Sequence, residues 1–181
     1  MIEEALIIYW SQTGNTKKVA QAIREGLEEK GIEVELKTPS DGKEVDLFDY
    51  DLVAAGTPSY QWRPPEELEN YLKEKFSQYS DEGYVKWKAP KVEGRNAIVF
   101  CTYSGPHTGK REAIPAVKYV GQFFEHLGFE VLDELYVLSE FHGSKDASTK
   151  GRMGDIRGLP DEEDLAEVKQ RVQQLIKPKT G

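Results

Sequence analysis

A single cysteine, Cys101, stands among 181 residues. No internal disulfide can form, and a reducing compartment is expected. Positive charge is also in deficit: 24 Lys and Arg face 32 Asp and Glu, for a formal charge of −8. No cationic excess is left for a phosphate backbone, so nucleic acid is not expected as a partner. No apolar run approaches a membrane span, and the N-terminal Met1-Ile2-Glu3-Glu4 is acidic where a signal peptide is basic. These absences point to a cytoplasmic protein without a membrane partner. The three histidines and one cysteine show no ligand spacing, so no metal site is expected. Neither the Walker pattern nor GxGxxG occurs, which argues against ATP and NAD in a phosphate loop.

The composition that remains, 38% hydrophobic and 31% charged, suits one well-folded domain over residues 1–181. An acidic body of this kind steers toward basic protein surfaces or neutral small molecules. Short apolar runs predict strands over residues 5–9, 32–36, 52–55, 97–101 and 129–138. Between them, helical periodicity predicts helices over 15–30, 66–76, 114–127 and 160–176. Gly31 and Gly128 act as stops, and Pro64-Pro65 lie just before the second helix. Strands alternating with helices imply an α/β three-layer sandwich. Its five-stranded parallel sheet takes the order 2-1-3-4-5, with helices on both faces. Ligands in such sheets bind beyond the carboxyl ends of the strands, beside strand one.

"YWSQTGNT", residues 9–16, occupies that place. Ser11, Gln12, Thr13, Asn15 and Thr16 offer hydroxyl and amide groups at a helix N-terminus, and Gly14 lets the backbone approach closely. With no Lys or Arg inside it, the loop suits one phosphate better than a polyphosphate; a polar helix cap is the plain alternative. The second loop, "GTPSYQW", carries Tyr60 and Trp62, a stacking surface for a ring or a cover for the sheet edge. The third, "CTYSGPHTGKR", supplies Thr102, Tyr103, Ser104, Gly105, His107 and Gly109, suited to the edge of a heteroaromatic ring. A phosphate in the first loop and a planar ring between the other two describe a mononucleotide, for which FMN is the natural candidate. Cys101 ends an apolar strand and reads as a small core residue.

Residues 7–23, "IIYWSQTGNTKKVAQAI", resemble the flavodoxin signature in residue type and spacing. The resemblance implies an FMN-binding domain. Ser11, Gln12, Thr13, Gly14, Asn15 and Thr16 would hold the phosphate. Thr57, Pro58, Ser59, Tyr60 and Trp62 would meet one side of the ring; Thr102, Tyr103, Ser104, Gly105, His107 and Gly109 would meet the other side or the edge. It also implies a redox role with two readings. One is a carrier moving electrons to or from a partner protein. The other is an FMN-dependent NAD(P)H:quinone oxidoreductase working as a homodimer or tetramer. Loop two, "SYQWRPP", lacks the glycine that eases a backbone turn toward the flavin in carriers. "GPHTG" and "RGLPDEEDL" are similar to the quinone reductase branch, in which His107 would act as the donor near N1 or C2=O. The segment 139–159 is long for a plain connection. It would cover the crevice, meet a second subunit, dock an acidic partner or lie solvated at the surface. Segment 79–91, with Tyr84 and Trp87, is open in the same way between a solvated surface loop and an oligomer interface, which would explain aromatics in a polar insert.

Overall fold

The computed structural model describes residues 2–176. Five parallel strands form one sheet: β1 (Glu4–Tyr9), β2 (Glu33–Lys37), β3 (Leu52–Pro58), β4 (Asn96–Tyr103) and β5 (Glu130–Leu138). Their order is β2-β1-β3-β4-β5, as the alternating pattern predicts. The helices are α1 (Asn15–Glu28), α2 (Glu66–Asp81), α3 (Ile114–His126), the short α4 (Lys145–Thr149) and α5 (Glu162–Leu175).

The apolar runs are continuous because both sheet faces are covered, and successive strand residues serve opposite cores. Leu6, Ile8, Val53, Ala55 and Val99 pack with Leu68 and Leu72 of α2 and Val117, Val120 and Phe124 of α3. Ala5, Ile7, Ala54, Ile98 and Phe100 pack with Val19, Ile23 and Leu27 of α1 and Val168 and Val172 of α5. Gly56 is required by this packing: a Cβ there would lie 2.1 Å from the Phe100 ring.

Three differences from the sequence expectation bear on the site. First, β3 and β4 continue past their apolar runs, pairing Thr57 with Cys101 and Pro58 with Thr102. Polar residues are thereby held in the sheet right up to its carboxyl edge. Second, α2 runs on to Asp81, because Tyr79 is buried. Its hydroxyl accepts from Leu47 N–H (2.7 Å) and donates to Asp46 (2.9 Å). Third, segment 139–159 is built rather than loose. It contains α4, and the buried Ser148 hydroxyl accepts from Phe141 N–H and donates to Phe141 C=O. Tyr84 stacks on Phe48 (centroids 4.3 Å apart), so this part of segment 79–91 serves the chain's own core.

Candidate functional site

The loops after β1, β3, β4 and β5 enclose a cleft of about 1040 Å³ at the carboxyl ends of the strands. From the first loop come Ser11, Gln12, Thr13, Asn15 and Thr16; from the second, Pro58, Ser59, Tyr60 and Trp62; from the third, Thr102, Tyr103, Ser104 and His107. The remaining expected residues stand behind this lining. Thr57 is fully buried and donates to Pro58 C=O (2.8 Å). Gly105 and Gly109 shape the third loop from within: Gly109 N–H donates to Gly105 C=O, and a Cβ on Gly105 would lie 2.7 Å from Gly109 backbone. Gly14 faces a smaller hollow beside Trp10 and Lys17.

At the mouth of α1, Gly14 takes a left-handed φ of 99° with open space where a Cβ would be. No side chain caps the helix, and its first turn carries no acid. The N–H groups of that turn have no intrahelical acceptor. The surrounding polar side chains fix the frame instead. Ser11 Oγ accepts from Gly14 N–H (3.1 Å), the Thr16 and Thr102 hydroxyls bond at 2.8 Å, and Asn15 Nδ2 donates to Glu140 C=O (3.0 Å). These bonds tie the open helix end to β4 and to the loop after β5. The result is a preorganised anion cradle made of backbone dipoles rather than cations.

The second loop is a two-residue turn, closed by reciprocal backbone bonds between Tyr60 and Arg63 (2.9 and 3.0 Å). Gln61 and Trp62 sit at φ of 47° and 69°, a pair of left-handed conformations that such turns ordinarily give to Gly or Asn. The turn holds Trp62 60% exposed at the cleft. The Tyr60 hydroxyl donates to Gln12 Oε1 (3.0 Å); burial, with Glu67 adding to it, pushes this phenol up, so it remains a donor. On the other side, burial likewise raises the Tyr103 phenol.

Sequence reasoning did not single out Gln61, Pro106 or Glu112 as cleft residues. One Glu112 carboxylate oxygen accepts from His107 N–H (2.8 Å) and Thr108 N–H (2.5 Å), and its carbonyl accepts from Ser59 Oγ (2.5 Å). It therefore fixes the loop that carries His107 and joins it to loop two. No local pattern announces this role. Phe141, His142 and Gly143 form a wall of the cleft, the outcome that the sequence left among several for this segment.

Both halves of the site suit a mononucleotide. The cradle takes a small anion, and the walls offer aromatic faces with hydroxyl and amide groups at the edge. Among the described residues, no group of three or more His, Cys, Asp or Glu stands together as metal ligands.

Comparison with known proteins follows the same line. The flavodoxin family model matches residues 7–169. An NAD(P)H dehydrogenase (quinone) of Archaeoglobus fulgidus is 28% identical over 185 residues, covering 91% of each chain. A flavodoxin of Megasphaera elsdenii is 32% identical over 97 residues, 54% of this chain and 63% of that one. Among solved structures, oxidised flavodoxin 1 from Bacillus cereus superposes with a TM-score of 0.68, covering 96% of this chain and 97% of that one at 18% identity.

Proposed function

The chain belongs to the flavodoxin family, and from that membership we propose that it carries electrons between FMN and a partner protein, with the four-loop cleft as the cofactor site. FMN is the cofactor of this family and supplies reversible electron uptake through its ring system. The observation that carries the reading is the uncapped N-terminus of α1 opening into the same cleft as Tyr60 and Trp62.

Each group of residues has a part in this reading. The N–H groups of Asn15, Thr16 and Lys17, with the hydroxyls of Ser11 and Thr13, bind the phosphate without a charged side chain. Pro58, Ser59, Tyr60 and Trp62 hold one side of the ring, and Thr102, Tyr103 and Ser104 the other. Thr57, Gly105 and Gly109 shape these walls from behind. Glu112 holds the backbone of His107, and in this reading the His107 imidazole is the donor at the ring edge. The exposure of Trp62 leaves one rim of the site open to a docking protein. A cytoplasmic setting fits the buried Cys101, whose thiol is pushed up by burial and is a poor nucleophile.

A second reading, a two-electron NAD(P)H:quinone reductase, is favoured by one observation. The cleft, at about 1040 Å³, is at the upper end of ordinary ligand cavities and leaves space beside a mononucleotide. The Archaeoglobus relative, named for that activity, matches over 91% of both chains.

Anaerobic absorbance titration of the FMN-loaded protein with NADPH and then NADH separates the two. A carrier keeps its oxidised spectrum with either nucleotide and is reduced by a protein donor. Stoichiometric bleaching by a nucleotide, reversed by a quinone, would replace the carrier reading with the reductase.

A further inference from the structure

Two features of the molecule lie outside the cleft and have no part in flavin chemistry. The first is Trp87, 98% exposed on the 86–89 turn between α2 and β4. Ala89 N–H donates to Lys86 C=O (3.0 Å), while Lys88 and Ala89 take φ of 69° and 40°. Neither side chain favours this left-handed region, so the backbone accepts strain while holding an indole in water. That arrangement runs against the strong tendency of tryptophan to be covered. Lys86 and Lys88 flank it and make no ion pair among the described residues. Lys91 and Arg95 nearby are already paired, with Glu130 (2.9 Å) and Asp51 (3.3 Å), so the unpaired positive charge beside the indole is that of Lys86 and Lys88, on a chain of net charge −8.

The second feature is a groove of about 770 Å³ between α2 and α3. Leu72, Phe76, Tyr119 and Phe123 give it apolar walls. Asp81, the last residue of α2, also lines the groove and makes no ion pair among the described residues. The chain runs from Asp81 at the end of α2 to Val92, whose N–H donates to Gly128 C=O just past α3 (2.8 Å), so the 86–89 turn lies in the segment spanning the C-terminal ends of the two helices that flank the groove.

We propose that this face is a self-association surface, on which the Trp87 indole of one copy seats in the α2–α3 groove of a second copy and the reverse. A two-fold axis beside the turn makes both contacts at once, the isologous arrangement expected of a homodimer. Charge fits as well: each copy brings Lys86 and Lys88 to the unpaired Asp81 of the other. A small molecule in the groove would leave Trp87 in water, whereas a second copy covers both features. The inference does not depend on which redox reading holds.

Sedimentation equilibrium of the FMN-loaded protein tests it, across a wide concentration range. The expected mass is twice that of the 20.5 kDa chain. Trp87→Ala, which removes the indole, and Ser77→Arg, which blocks the groove from an exposed position on α2, each give a monomer with an unchanged flavin spectrum. An equimolar mixture of the two variants regains dimer, because one intact indole then meets one intact groove. A wild-type monomer throughout overturns the proposal, as does a dimer that survives either substitution. Two monomeric variants that do not re-associate on mixing overturn it too. If Trp87 emission shifts to the blue only on anionic lipid vesicles, read as the difference from Trp87→Phe, the surface belongs to a membrane and not to a second copy.

Discussion

Helices α1 and α5 are each 14 residues long and pack against each other on one face of the sheet, yet their N-termini are finished in opposite ways. At α5, Asp161 accepts from the N–H groups of Glu163 and Asp164 (both 3.0 Å), and Asp164 returns a bond to Asp161 N–H (3.1 Å). Three acids in the first turn complement the dipole. At α1 the cap residue is Gly14, no side chain reaches the free donors, and no acid enters the first turn. The nearby hydroxyls and amide are turned to other partners. Where the helix only has to be stable, the sequence closes it; where it faces the cleft, the donors are left for a ligand. Each change below moves one end toward the other.

The largest effect is expected from Gly14→Asp, which gives α1 an acid at the end proposed to hold the phosphate. A residue at φ 99° costs ~1 kcal/mol of strain, and a carboxylate at the helix end returns part of that, so the apoprotein should melt only slightly earlier. The carboxylate repels the phosphate and competes for its donors. Loss of charge-assisted contacts worth roughly 2–3 kcal/mol lowers FMN affinity on the order of a hundredfold. Isothermal titration beside a thermal melt measures both. Undiminished FMN binding would remove the cradle from the site.

Thr16→Val should act more mildly and on both quantities. The shape is kept, but the buried Thr102 hydroxyl loses its partner at 2.8 Å, at a cost of about 1–3 kcal/mol in stability. FMN affinity falls roughly tenfold as the frame of the cradle loosens, the equivalent of about 1.4 kcal/mol. If denaturant unfolding shows the stability loss while FMN affinity is unchanged, Thr16 supports the sheet edge and not the ligand.

The contrast between the two helix ends was already written locally in the sequence. "SQTGNT" shows hydroxyls and a glycine without acids, and "PDEED" shows a cap followed by acids. The sheet order was legible for a similar reason, since apolar runs covered on both faces need no distant information to be recognised. What depended on distance was not legible. Thr57, Pro58, Thr102 and Tyr103 look like loop residues, and only pairing between β3 and β4 makes them strand. Glu112 has meaning only after its loop folds back on His107. The wall at 139–143 depends on Ser148 holding Phe141 and on Asn15 reaching Glu140. Tyr79 extends α2 through a hydroxyl bonded to Leu47 and Asp46, 32 and 33 residues earlier, which no helical pattern encodes.

The smallest effect belongs to the closed end. Asp161→Ala removes the acceptor for two N–H groups and should cost about 1 kcal/mol of stability, the ordinary worth of an N-cap. FMN affinity should be unchanged, because the α5 cap takes no part in lining the cleft. Asp161→Asn separates charge from capping geometry. Asn caps about as well as Asp, so only the dipole contribution of a few tenths of a kcal/mol is lost at this exposed position. Chemical denaturation of the three apoproteins gives the order wild type, Asn, Ala, with the larger step between Asn and Ala. A larger step between wild type and Asn would mean that charge, not hydrogen bonding, closes this helix. The open end of α1 would then be open chiefly because it lacks acids, and Gly14→Asp would have to bring α1 a clear gain in stability.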